Sequence, residues 1–330
     1  MLLTSVQMSA QTRPLGSRFT CSIAGLLMAM LLMLDVRPLA VAAEGGPILI
    51  VTSQETGAYK DVLTGFRQYF ANRNGTSALL EEHSLQGDAR KAEQIFKDAK
   101  ARHVQLLLTV GSLATQTALQ EAEGIPTIAS MIFSAEELRK SPNATGVVLD
   151  FALETQLQWL QKITPQSKTI GVLFNPRENR AKIDAATKVA QSLGLTLLTS
   201  EVETPQALPE ALENLARRAE VLWGITDQTV LSPQTAEPIL LFSFRNRIPF
   251  TGLSTSWAKA GALYALDRDY KDIGMQCGEI AAKILQGTAA NTIPPQSPRK
   301  VFYALNLKTA EHMKLTIPET LVEGAQQVFR

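Results

Sequence analysis

The sequence predicts an α/β protein built as two doubly wound parallel-sheet lobes joined by a three-segment hinge. Three observations carry that reading. Short apolar, β-branched runs alternate with stretches of helical period along most of the chain. The alternation halts at residues 142–146 and then restarts, giving two halves that repeat one theme. After Gly261 too little chain remains for a third domain. The tail is therefore expected to be divided between the halves, with residues 47–149 plus about 262–295 in lobe 1 and residues 150–261 plus about 296–330 in lobe 2, so that the chain crosses three times.

Ahead of the first strand, residues 1–43 read as an export signal. Arg13 and Arg18 come before the apolar run 23–34, no acidic residue precedes Ile23, and small residues fill positions 40–43. The run falls short of the roughly 20 residues that span a bilayer, which favours a removed leader over an anchor. Cys21 lies before the run, so it is not placed as the lipid-bearing cysteine of a processed lipoprotein. The expected location is the periplasm.

The first half opens with Gly45-Gly46-Pro47 and the strand 48–52, apolar throughout as a strand covered on both faces would be. A helix is expected over 59–72, with Val62, Leu63, Phe66 and Phe70 on one side. A strand at 77–82, a helix opened by Gly87-Asp88, a strand at 104–110, a helix to about Ala122 and a strand at 126–131 complete it. In the second half, helices are expected at 153–163, 182–193, 205–218 and 232–246. Strands are expected at 169–174, 195–200, 221–225 and 249–253. The tail reads as a strand at 262–266, a helix at 270–285, a linker at Pro294-Pro295, a strand at 301–305 and a helix at 307–313.

Composition narrows the function classes. The whole chain carries +1, and the leader's three arginines and one aspartate account for +2, which leaves −1 beyond it. No basic excess points to nucleic acid or an anionic membrane. Only Cys277 survives removal of the leader, so no internal disulfide is expected. His83, His103 and His312 are widely spaced and lack the second ligand a metal site needs, so neither a metal nor another cofactor is expected. No Gly-x-Gly-x-x-Gly, P-loop, His-Glu-x-x-His or Gly-x-Ser-x-Gly motif occurs at a suitable place, and no nucleophile–base pair can be named.

In open parallel sheets ligands bind beyond the carboxyl ends of the strands. The candidates from the first half are Ser53, Gln54, Glu55 and Tyr59, then Gly111, Ser112, Ala114 and Thr115, then Phe133 and Ser134. The second half adds Asn175, Glu178, Asn179, Thr226, Asp227, Ser254 and Trp257. Gly111 and the hydroxyls after it either present free N–H groups to an anion or simply cap a helix. Asp227 either pairs with a ligand ammonium or caps a turn, and the first option predicts weaker binding on Asp227→Ala with little change in melting temperature. Tyr59, Phe133, Trp257 and Tyr264 are either aromatic walls or core.

Several segments together resemble one family. They are Gln86-Gly87-Asp88, Gly111-Ser112-Leu113-Ala114-Thr115-Gln116, Asn143-Ala144-Thr145-Gly146-Val147, and Ile170-Gly171-Val172-Leu173-Phe174-Asn175-Pro176. Asp227, Ala260-Gly261-Ala262-Leu263, Gly274 with the helix to Gly287, and Asn306 ahead of Ile317-Pro318 continue the series. In order and spacing over nearly all of residues 47–330, the chain resembles the ABC transporter substrate-binding proteins of the tryptophan- and tyrosine-binder type, with the type I periplasmic binding protein fold. The resemblance implies a non-enzymatic monomer whose lobes close on a small ligand and dock on an ABC permease in the inner membrane. It also implies that the 111–115 loop holds an anionic ligand group while Asn175, Glu178 and Asp227 contact the ligand from the other lobe. Two departures bear on ligand identity: the first loop is Ser53-Gln54-Glu55-Thr56, and Ser254-Thr255-Ser256-Trp257 stands where many members carry a tyrosine. A sensor subunit of the same fold remains an alternative, and an exported α/β hydrolase a more distant one.

Overall fold

Every strand of the first lobe lies parallel to its neighbours in the order β2-β1-β3-β4-β5. The computed structural model describes residues 46–71 and 79–330. The expected export signal, with Cys21, lies outside the described residues, as do positions 72–78. In chain order the first lobe runs β1 (Ile48–Thr52), α1 (Gly57–Ala71), β2 (Leu80–Ser84), α2 (Ala89–Ala101), β3 (Leu106–Val110), α3 (Ser112–Glu121), β4 (Thr127–Ser130), α4 (Glu136–Lys140) and β5 (Ala144–Val147). β1 and β3 are buried at every position, which is why they read as unbroken apolar runs. Alternate side chains feed two cores. Ile48, Ile50, Leu106 and Leu108 pack under α1, while Leu49, Val51 and Leu107 pack with Phe96 and Ala118 of α2 and α3.

The stretch 142–146, expected as a break, instead begins the fifth strand of this sheet. Gly146 makes it possible. A Cβ there would lie 2.0 Å from the carbonyl oxygen of Ala129 on the neighbouring strand, closer than a side chain can approach.

The second lobe continues with α5 (Leu153–Ile163), β6 (Thr169–Phe174), α6 (Pro176–Ser192), β7 (Thr196–Glu201), α7 (Leu208–Leu215), β8 (Val221–Trp223), α8 (Pro233–Asn246), β9 (Phe250–Gly252), α9 (Thr255–Ala260) and β10 (Tyr264–Arg268). Helix α10 (Tyr270–Leu285) follows, then β11 (Val301–Asn306), α11 (Leu307–His312), α12 (Glu319–Glu323) and β12 (Gln327–Phe329). The sheet order is β12-β11-β10-β9-β8-β6-β7, parallel except where β10 meets β11. One face packs Ile170, Val172 and Trp223 under α5 and α6; the other packs Leu173, Leu222 and Phe250 under α7 and α8. Helix α6 starts six residues earlier than the expected 182–193, because Asn175 Oδ1 accepts the Arg177 N–H at 2.9 Å and Pro176 occupies a position that needs no donor.

The chain crosses between the lobes at three places. Leu149 packs in the first core and Phe151 in the second, so the first crossing turns on Asp150. β10 belongs to the second sheet, which moves the expected return at about residue 262 to Asp269, where α10 begins its run along the first lobe. The third crossing follows Gln296, which bridges Val147 at the edge of the first sheet, and ends at β11. Helices α1 and α10 touch closely: a Cβ on Gly65 would fall 1.8 Å from the Lys271 carbonyl oxygen, and one on Gly274 would fall 2.0 Å from that of Val62. Bare backbone at both positions lets Ile273, Cys277 and Ile280 reach the core that Val62 and Phe66 already fill.

Candidate ligand-binding cleft

At the carboxyl ends of the strands, the two lobes line a cleft of about 510 Å³. The first lobe supplies Ser112 and Gln116 from α3, Ile132, Phe133 and Ser134 from the turn after β4, and Glu137 from α4. Thr226, Asp227, Gln228 and Leu231 after β8, with Leu253 after β9, form the facing wall. Phe133 is 47% exposed, an unusual position for a phenylalanine that no partner covers. Ile132, Leu231 and Leu253 provide apolar wall beside it, and the remaining lining is hydroxyl, amide and carboxylate. The cleft therefore offers an aromatic surface together with a few polar groups, the mixture that small organic ligands require.

The first wall is held in place from behind. Ser53 Oγ accepts the Ala114 N–H at 2.9 Å, and the Thr115 hydroxyl donates to the Gly111 carbonyl at 2.9 Å while meeting Thr109 Oγ1 at 3.0 Å. Ser53, Ala114 and Thr115 are buried, so these three expected contacts serve the helix and not the ligand. Gly111 has φ of 100° and no room for a Cβ, which would come 2.6 Å from both Ser53 Oγ and the Tyr59 hydroxyl. Its role is to turn the chain into α3. Ser112 alone of that group reaches the cleft.

The facing wall is built around Asp227, 3% exposed. Its Oδ2 accepts the Asn175 N–H at 2.6 Å and Asn179 Nδ2 at 2.9 Å; its Oδ1 accepts the N–H groups of Thr229 at 3.0 Å and Val230 at 2.8 Å. Four protein donors use the carboxylate fully. The residue lines the cleft, but its charge is directed inward, which corrects the expectation of a free partner for a ligand ammonium. Asn175 Nδ2 donates to Thr229 Oγ1 at 2.8 Å, and Glu178 Oε2 accepts the Gln228 N–H at 3.0 Å. Asn175, buried, and Glu178, exposed, thus support the 226–230 turn from α6, and neither is among the residues that line the cleft.

The other expected residues go elsewhere. Gln54 and Tyr59 line a second cavity, about 580 Å³, within the first lobe between α1 and β2. Burial pushes the Tyr59 phenol above its usual range. Ser254 precedes the first turn of α9, and its carbonyl accepts the Trp257 N–H at 2.9 Å. The Trp257 ring stands edge-on to Phe250 at 5.6 Å in the second core, and Gly252 leaves no room for a Cβ beneath it. Trp257 is half-buried there and is not among the residues that line the cleft. Gln116, Glu137, Gln228, Leu231 and Leu253 were not singled out as contacts from the sequence. Helix α3, the short helix after β4 and the turns after β8 and β9 bring them in, and no motif in the sequence pointed to them as contacts.

Among the described residues, no three histidine, cysteine, aspartate or glutamate side chains gather as metal ligands would. Nor is any helix among them long and apolar enough to cross a membrane.

Two lobes joined by three crossings, with a cleft between their strand ends, define a solute-binding protein of the type I periplasmic binding fold. Residues 58–329 match the family model described as ABC transporter substrate binding protein, and the chain belongs to that family. It is similar to the tyrosine-binding protein of Clostridioides difficile (strain R20291), 22% identical over 257 residues that cover 74% of each chain. An uncharacterised Rickettsia prowazekii protein is 21% identical over 283 residues, 85% of this chain and 89% of that one. Among solved structures, the ligand-free, open form of a substrate binding protein with adhesive properties from Clostridium difficile aligns with a TM-score of 0.68. It is 20% identical, and the alignment covers 86% of this chain and 99% of that one. A Streptococcus pneumonia ABC domain in complex with L-Trp aligns with a TM-score of 0.58 at 20% identity, over 86% of this chain and all of that one.

Proposed function

We propose that this protein captures an amino-acid-like ligand, with an aromatic or apolar side chain, in the interlobe cleft and delivers it to an ABC importer. The observation that carries this reading is the cleft itself, walled by both lobes and lined by exposed Phe133 among short polar side chains. A ligand ring against Phe133 and the leucines would leave its polar end to Ser112, Gln116, Glu137 and Gln228. Glu137 is the cleft carboxylate nearest in kind to what an ammonium group needs, since Asp227 is already used. Relatives described as tyrosine-binding and as bound to L-Trp support the ligand class. The protein acts in the periplasm after removal of its leader, as a monomer, makes or breaks no bond, and hands its cargo to a permease in the inner membrane.

A thermal-shift series tests the ligand class. L-tyrosine, L-tryptophan and L-phenylalanine are compared with arabinose, adenine and succinate on the purified protein. At a hundredfold excess over the dissociation constant, a true ligand adds roughly 2.7 kcal/mol to stability. Stabilisation by an aromatic amino acid, lost in Phe133→Ala, is the expected result. Stabilisation by a sugar or nucleobase and by no amino acid would sink the reading.

A further inference from the structure

Behind Leu253 of the cleft wall lies Arg268, and among the described residues no carboxylate pairs with its guanidinium. Arg268 ends β10, is 9% exposed, and stacks over Phe151 with its guanidinium carbon 4.9 Å from the ring centre. Its Nε donates to the carbonyl of Leu149, and its Nη1 reaches the carbonyl of Leu253 at 3.4 Å. Those carbonyls belong to different bodies. Leu149 packs in the first core, and its own N–H donates to the Ile132 carbonyl at 2.7 Å, on the first wall of the cleft. Leu253 follows β9 of the second sheet and forms part of the opposite wall. Asp267 reinforces that side, since its carboxylate accepts both the Arg268 N–H at 2.9 Å and the Thr255 hydroxyl at 2.7 Å.

We propose that Arg268 is a positioning residue for ligand capture, a planar fork behind the cleft wall that holds one carbonyl of each lobe and so sets how the two walls face one another. The inference deepens the binding reading given above and rests on the same cleft. A guanidinium suits the task because its donors are fixed in one plane, and a lysine ammonium cannot span two divergent acceptors in the same way. The burial cost of a charge without a carboxylate partner is offset by the two carbonyls, the Phe151 face and a side-chain hydrogen bond with Tyr270. The location matters as well. Asp150 and Asp269, on which two of the crossings turn, directly follow Leu149 and Arg268 itself, so a small rotation of the lobes changes the distance between the carbonyls that Arg268 holds.

The test is made without ligand, so that its failure and the failure of the amino-acid reading are separate results. In a background with Cys21→Ser, spin labels are placed at exposed Glu93 in α2 and exposed Glu213 in α7, one on each lobe. Buried Cys277 is left untouched. The interlobe distance distribution is then measured for the parent, Arg268→Lys and Arg268→Met. Arg268→Lys keeps the charge and one donor to Leu149, so it is expected to fold with a melting curve like the parent's. The expected result is a shift of about tenfold in the ratio of lobe arrangements for Arg268→Lys, and at least as much for Arg268→Met. Distributions that coincide in the parent and folded Arg268→Lys would overturn the proposal, whether or not Arg268→Met folds.

Discussion

At the scale of single residues, burial separates the groups that face a ligand from those that shape the wall. Asp227 with its four donors belongs to the second kind. Asp227→Ala is therefore expected to lower the unfolding free energy by roughly 2–4 kcal/mol, because a buried amide set loses its charged acceptor. Chemical denaturation of the unliganded protein measures this, and an unchanged midpoint would return Asp227 to the role of ligand partner. Cys277 gives a second prediction. Burial pushes its thiol up to about 12, against a smaller opposing pull from Ser130. The unfolded thiol ionises near ~8.5, so between about pH 9 and pH 12 the unfolded chain releases a proton that the folded chain keeps, and stability falls as pH rises. Below that window the thiol contributes no slope. Cys277→Ala should flatten this part of the curve, and the native protein should resist a maleimide at pH 8 that labels it rapidly in guanidinium. The sequence made Ser112, Phe133 and Asp227 legible as cleft residues because each follows the carboxyl end of a strand. The local donors Thr229 and Val230 fit the turn-capping alternative, but the sequence could not show that Asn175 and Asn179, far off in the chain, take the other carboxylate oxygen.

At the scale of elements, what was readable depended on how local the cause is. β1, β3 and β6 are covered on both faces, so their composition declared them. β5 hid behind Pro142-Asn143 and a glycine whose reason is the neighbouring strand, and β12 is three residues at a sheet edge. The start of α6 was missed because Asn-Pro marks a loop as readily as a helix N-terminus, and the Asn175 bond decides between them. The α1 and α10 contact is the most demanding element pairing. Gly65→Ala or Gly274→Ala places a methyl within about 2 Å of a carbonyl oxygen on the partner helix, where backbone has to move. Either change should cost at least roughly 1–3 kcal/mol despite the better helix propensity of alanine. Gly287→Ala is a control for glycine replacement as such, having positive φ but open space around it. Equal or smaller losses at 65 and 274 than at 287 would mean that the helices repack freely.

At the scale of the whole molecule, neither lobe is continuous in sequence. The first sheet is finished by residue 147, yet the helix that covers Val62, Phe66 and Phe70 comes from residues 270–285. A chain ended after Arg268 would keep all five strands of the first sheet and expose the apolar face that α10 seals. It is expected to lose a cooperative melt and to bind a hydrophobic dye, whereas a cooperative melt in the shortened chain would show that α10 is dispensable. The same arrangement governs the order of events during synthesis. A polypeptide made from its amino end delivers the first five strands long before their covering helix, with five of the second sheet's seven strands between. Through that interval the Gly65 face of α1 waits for a partner more than 200 positions away, and contacts so distant in sequence form late. Shielding that face until residues 270–285 emerge thus becomes a requirement that the fold places on the cell's chaperones.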